Sequence, residues 1–366
     1  MGFEVPIARR NLLADKVKFL LALGGVTLAV VLILVVVSLY QGIRREYATF
    51  IEALPGDVWV AQGGIRTLPY SNSFLTDRDA ASVAAVPGVE AVHRLYGRLA
   101  TFEAAGDEVP SYVWALAPGA TLTSTERTIL PQPGTIFLDR SLANEIGLSV
   151  GDVLTYEGSD FAIAETGRVG NVLLVQFAFI NADDYGRVFG SLGAANFLLV
   201  SLGPDATDGT MTEIAGKVAG TSVYTTEEFV SVAQEPALGF LPIIRVIMAI
   251  SFIVGLALLS LTIYSATIER AREYGVMKAL GASPLRLYRI VISQSAIIAV
   301  LGFGAGVGLA FLFNRVAVHL VPEFVTYIRW QDVVLTLGIS GVMTFVASFL
   351  PINRVARVDP ASVFRA

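Results

Sequence analysis

Residues 266–289, ATIERAREYGVMKALGASPLRLYR, gather seven charged side chains between two long uncharged runs. Glu269, Arg270, Arg272, Glu273 and Lys278 are spaced so that opposite charges three or four residues apart share one helix face. Val276, Met277 and Leu280 add an apolar stripe, so a helix here presents a mixed surface rather than a reacting centre. Gly281 stands where a helix C-terminal cap needs it, and Ser283-Pro284 supply an N-cap and a first-turn residue for the next helix through Arg286 and Arg289. The expectation is a helix, an abrupt turn and a second helix. In the plainest reading these charges only obey the positive-inside bias of membrane proteins. The apolar stripe is too narrow for a helix lying in the lipid surface, which leaves docking of a cytoplasmic partner as the sharper reading.

Other candidates for chemistry are sparse. His93 and His319 are the only histidines and lie in different regions, so neither a zinc site nor a catalytic triad has its parts. Asp183-Asp184 and Glu227-Glu228 read as turn and cap residues. The chain has no cysteine and no phosphate-binding loop; at the nearest approach, Gly216-Lys217, Met211 replaces the first glycine and Val218 the hydroxyl residue. GFGAGVG at 302–308 follows no strand, so Gly302/Gly306 and Gly304/Gly308 read as faces for close helix packing rather than a nucleotide fingerprint.

The elements that carry these residues follow from composition. Hydrophobic residues make up 54% of the 366 and charged residues 16%, against about 25% charged in ordinary soluble domains. No charged residue lies between Lys18 and Arg44, Arg245 and Glu269, Arg289 and Arg315, or Asp332 and Arg354, gaps of 25, 23, 25 and 21 residues. About 20 apolar residues cross a bilayer, so four transmembrane helices are expected, over 19–43, 243–267, 287–314 and 332–353. The first run exceeds the apolar core of a signal peptide and lacks a small-x-small cleavage site, so it is expected to remain as an anchor. None of the gaps holds the carboxylate or histidine that ion-driven transport requires at mid-membrane depth.

Twelve Lys and Arg in residues 1–18, 268–286 with its flank, and the tail 354–366 face only Arg315 and Arg329 in the loop 315–331. Both termini and the island are therefore expected in the cytoplasm, although Arg44, Arg45 and Arg245 dissent from that count. Residues 42–240 hold 11 basic and 24 acidic side chains, so an acidic body is expected outside and a basic face inside. Such a body repels phosphates and excludes nucleic acid as a partner. Strand-like runs such as DVWVAQ, PSYVWALA, GTIFLD, NVLLVQFAFI and NFLLVSLG alternate with helix-like ones, LTDRDAASVAAV, DRSLANEIG and GTMTEIAGKVAG. The reading is an α+β extracytoplasmic domain over 44–240, between helices 1 and 2. Ile43, Tyr47, Ile51 and Leu54 extend the first helix to Pro55-Gly56, and TTEE at 225–228 reads as a capping box opening a helix toward Pro242, so the domain is expected on two helical stalks.

ERAREYGVMKALGASPLRLYRIVISQSAIIAVLGFGAGVGLAF resembles the permease signature of MacB/FtsX-type ABC transporters. PINRVARVDPASVFRA is similar to that family's C-terminal pattern, and LDRSLANEIGLSVGDVLTY to a segment of its external domain. The resemblance implies a four-span membrane protein in a plasma membrane, a second permease copy or homologous permease beside it, and a cytoplasmic ABC ATPase dimer beneath. Carried over by position, Glu269, Arg270, Glu273, Gly275, Lys278, Ala279, Gly281 and Ala282 would form the ATPase-contacting loop, with Arg272, Met277 and Leu280 completing its surface. No cofactor is expected in this chain; ATP and Mg would sit on the partner ATPase. That aligns the sequence with split permeases of the LolC/LolE and DevC kind, which lack a fused ATPase. The expected role is ATP-driven mechanical transmission to the external domain, moving a lipid-like, hydrophobic or periplasmic substrate, with a periplasmic adaptor as a further partner. Two other readings compete: an FtsX-like regulator of an extracytoplasmic partner such as a cell-wall hydrolase, and an anchored binding module with no motor.

Overall fold

The computed structural model describes residues 15–65, 68, 73–104, 107–117, 120–123, 128–129, 132–168, 176–190, 193–207, 209–235, 239–320 and 325–356. The segments 1–14 and 357–366, with Arg9, Arg10, Arg357 and Arg365, lie outside the described residues, as does 171–175 of the strand-like run NVLLVQFAFI. The chain divides into two compact units, 1–40 with 241–316 and 326–366, and 41–240 with 317–325.

The first unit is helical. Helix α1 (Lys16–Ala53), α7 (Leu241–Glu269), α9 (Pro284–Leu320) and α10 (Trp330–Ala356) are each long and apolar enough to cross a membrane. At 1.5 Å per residue the 38 residues of α1 extend about 57 Å, beyond the roughly 30 Å hydrocarbon core. Its upper end therefore leaves the lipid, as the repeat from Ile43 to Leu54 predicts. Small residues let the helices approach. A Cβ on Gly25 would stand 2.8 Å from Leu258 Cβ, and one on Gly255 would stand 2.8 Å from both Ala29 Cβ and Met343 Sδ. Between α9 and α10 the buried hydroxyls of Ser295 and Ser348 lie 2.7 Å apart, which satisfies polar groups that lipid cannot.

The second unit is an α+β domain. Its elements after α1 are β1 (Val58–Gln62), α2 (Asp77–Ala84), β2 (Val89–Ala104), β3 (Asp107–Leu116), β4 (Leu122–Thr123), β5 (Thr128–Ile129), β6 (Thr135–Asp139) and α3 (Arg140–Glu145). There follow β7 (Val153–Tyr156), β8 (Ser159–Gly167), β9 (Phe177–Asn181), α4 (Ala182–Phe189), β10 (Phe197–Leu202), α5 (Thr210–Lys217), β11 (Thr221–Thr225) and α6 (Thr226–Ala233). Nine strands form one sheet in the order β11-β1-β10-β2-β3-β9-β6-β8-β7, antiparallel except for the pairs β3–β9 and β6–β8.

Both faces of this sheet are covered, and the strand sequences show why. Val58, Val60, Ala178, Ile180, Leu198 and Val200 enter one core, while Trp59, Phe177, Phe179, Phe197 and Leu199 enter the other. A period of two with apolar residues on both faces makes a continuous hydrophobic run, as in FAFI and FLLV. The second core is aromatic: Phe50 of α1 lies 5.1 Å from Trp114 and 4.6 Å from Phe177, and Trp59 stacks on Phe229 of α6 at 4.4 Å. Gly97 is required beneath it, because a Cβ there would fall 2.5 Å from the Trp114 ring.

One expectation is corrected. Thr225 and Glu228 do form the reciprocal capping box, but α6 ends at Ala233 and α7 starts separately at Leu241. Gln234 caps α6, its N–H donating to the Val230 carbonyl at 3.1 Å, and Gly239 ahead of α7 costs helix entropy.

Candidate coupling element

The charged island folds as a short helix, α8 (Ala271–Ala279), between α7 and α9. Arg270 leaves helical geometry at φ −103° and ψ 13°, which separates α8 from the end of α7. At the other end Gly281 takes φ +90°, where a side chain is strained. Its N–H donates to the Lys278 carbonyl at 3.1 Å and that of Ala282 to Met277 at 2.9 Å, the paired bonds of a Schellman cap. The carbonyl of Ser283 then accepts from Arg286 N–H at 3.0 Å as α9 begins. These backbone bonds close the turn.

Burial sorts the side chains of α8 into two stripes. Tyr274 and Gly275 are buried, and Tyr274 shares a core with Ala22, Val26, Leu287 and Ile290, against which Met277 packs in part. Arg272, Glu273, Val276, Ala279 and Leu280 are exposed, Leu280 at 83%. The exposed positions follow helical spacing, so α8 offers two apolar side chains beside a cation and a carboxylate. The stripe expected from Val276, Met277 and Leu280 is therefore divided: Met277 turns partly inward while its two neighbours face out. Arg270 pairs loosely with Glu273 at 3.8 Å, and Lys278 is half-buried.

Glu269 stands apart from this stripe. It forms an ion pair with Lys18 at the start of α1, whose ammonium also lies 3.2 Å from Asp15 Oδ2. Asp15 caps α1 by accepting the Lys18 N–H at 3.2 Å. Sequence reasoning missed Lys18 as a partner. The available signal was that Lys18 is the last charge before the first apolar run and Glu269 the first charge after the second, on the same expected side.

The four glycines of the second candidate set separate by face. A Cβ on Gly302 would stand 2.8 Å from Val26 Cβ, and one on Gly306 would stand 2.6 Å from Val30 Cγ1 and 3.1 Å from the Thr27 carbonyl. Gly304 and Gly308 have nothing within 4 Å. Two residues along a helix turn the chain by about 200°, so one pair packs on α1 while the other faces away.

In the other unit, α1 is fastened by polar contacts as well as aromatic ones. Arg44 Nε donates to Gln234 Oε1 at 2.9 Å, and Gln234 Nε2 returns a bond to the Arg44 carbonyl at 2.8 Å. Glu46, only 2% exposed, pairs with Arg168 at the end of β8. These bonds tie the last turns of α1 to the end of α6 and to the sheet.

The geometry defines a membrane protein whose α+β domain is inserted between its first and second spanning helices. Residues 19–217 match the MacB-like periplasmic core domain, and residues 245–360 match the FtsX-like permease C-terminal domain. The chain belongs to the MacB/FtsX family of ABC transporter permeases, and its inserted domain is extracytoplasmic. It is 25% identical over 231 residues to an uncharacterized ABC transporter permease of Methanocaldococcus jannaschii, covering 60% of this chain and 58% of that one. With the uncharacterized ABC transporter permease YknZ of Bacillus subtilis it shares 28% over 188 residues, 48% of this chain and 46% of the relative. The matched part thus spans about half the length of these two relatives. A putative hemin transport system permease protein, HrtB of Staphylococcus epidermidis, is 20% identical over 94% of this chain and 95% of its own.

Proposed function

We propose that this chain is the membrane subunit through which a separate ABC ATPase drives the extracytoplasmic domain. The observation that carries this is α8: an exposed stripe of Arg272, Glu273, Val276 and Leu280, anchored by buried Tyr274 and closed by the Gly281 cap, between two spanning helices. An ATPase dimer docks on that stripe from the cytoplasm, with both termini on the same side. Its nucleotide-dependent closure displaces α8 and moves the helices that lead by chain into the outer domain. ATP and Mg stay on the ATPase, and this chain performs no hydrolysis. Two permeases, identical or homologous, complete the transporter.

The substrate is hydrophobic or lipid-like and leaves from the membrane or the outer face. The uncharged spans support this, because a conduit for charged solutes needs charged lining that they lack. An apolar groove of about 460 Å³ between α7 and α10, lined by Ile253, Leu256, Phe345 and Phe349, is suited to an acyl chain or ring system. The hemin named for HrtB is a substrate of that kind.

The test is capture of an ABC ATPase from the host's own cell extract, with Glu273→Lys and Leu280→Asp as variants. Each variant should weaken capture about tenfold, the loss of roughly 1.4 kcal/mol expected for one interface anchor, without changing the permease's elution from a sizing column. Undiminished capture by both variants would remove α8 from the interface. Stimulation of an extracytoplasmic enzyme with no change in lipid or drug export would instead favour the regulatory reading.

A further inference from the structure

Helix α8 is joined by chain to α7 and α9 but not to α1, yet α1 is the other helix that leads into the outer domain. Displacing α8 therefore moves α1 only if a side-chain link exists at this level. We infer that Lys18 is that link: a positioning residue that ties the inner end of α1 to Glu269, the last residue of α7 and the first of the hinge into α8. The inference rests on the coupling role proposed above for α8, and it reassigns Glu269 from the ATPase surface to the interior of the transmission.

Three features build the tie. Asp15 caps α1 through the Lys18 N–H and holds the Lys18 ammonium at 3.2 Å, so the cation is positioned from its own helix before it meets Glu269. Lys18 is the only cation between Asp15 and Arg44 that the sequence offers to this end of α1 apart from Lys16, and it is the one placed on Glu269. Beneath the pair, Phe19 and Ala22 of α1 share a core with Tyr274 and Met277 of α8. The apolar contact transmits pressure, and the ion pair, which has a direction, transmits pull. Both partners are partly exposed and water weakens such pairs, which sets the expected effects at a few-fold.

The test is a charge swap in the full chain, purified with its ATPase in lipid nanodiscs. Lys18→Glu and Glu269→Lys should each lower ATP turnover about threefold while the ATPase still co-purifies, and the double variant should recover to within about twofold of wild type. Loss of ATPase capture in Glu269→Lys, with Lys18→Glu unaffected, would overturn the inference by returning Glu269 to the docking surface. Failure of the swap to recover turnover would overturn it as well. A second arm needs no ATPase: thermal unfolding of the permease alone, where the two single changes should be non-additive. If wild type captures no ATPase, the coupling role fails, and the tie is decided by this arm: additivity overturns it and non-additivity sustains it.

Discussion

At the scale of single residues, space around glycine distinguishes contacts that residue type does not. Ala at 306 meets Val30 and Ala at 304 meets nothing, while both gain the same helix propensity. Gly306→Ala should therefore be about 1–3 kcal/mol less stable than Gly304→Ala, read as thermal unfolding midpoints in one detergent. Equal midpoints would contradict the packing of α9 on α1. The sequence made both glycine pairs candidates because their spacing is identical, and only the neighbouring helix separates them. Gly25 and Gly255, which also sit in close contacts, have a non-glycine small residue at the same spacing, Ala29 and Ser251. His93 gives a pH signature. Burial in β2 holds its imidazole below the usual histidine value. The folded state then binds its proton less readily than the unfolded chain, so this contribution is present above the unfolded pKa of about 6.5 and is lost as pH falls through it toward the folded value. Between pH 8 and 5.5 the unfolding midpoint of wild type should fall further than that of His93→Gln.

At the scale of elements, the ends of α1 and α8 are each fixed by a specific local feature. Glu46 on α1 is buried and Arg168 is half-exposed, so Arg168→Ala removes a counter-charge while leaving the carboxylate in place. With allowance for solvent at Arg168, the loss should be about 1–3 kcal/mol, and adding Glu46→Gln should restore part of it. A double variant less stable than Arg168→Ala would contradict the pairing. In α8, Gly281→Ala strains a φ of +90° where the space for a Cβ is open, so its cost is one of backbone alone, about 1–2 kcal/mol. Asn at 281 should be milder than Ala in the same melt, since Asn tolerates this region. The cap at Gly281 and the capping box at Thr225 were legible in sequence because each depends on neighbours three to five residues away. The pair of Glu46 with Arg168, the 16-residue strand β2 and the early end of α6 were not: the first two depend on partners distant in the chain, and the third on a break inside a helical pattern.

At the scale of the whole molecule, charge and hydropathy organise the protein more strongly than any motif. The inserted body holds 24 acidic and 11 basic residues and the remainder of the chain 7 acidic and 15 basic ones, so the two parts differ in sign. Four apolar helices were evident from gaps in charge alone, because a bilayer imposes that length whatever the fold. The nine-stranded order was not, since both sheet faces are buried and the runs carry no alternation to fix which strands are neighbours. The central claim is that α8 lies in the cytoplasm and the acidic domain outside. The chain has no cysteine, so single cysteines at exposed Glu273 and exposed Val150 can each be tested with a membrane-impermeant maleimide on intact cells and on opened membranes. The account predicts that residue 150 is labelled in intact cells and residue 273 only after opening; labelling of both positions from the same side would contradict it.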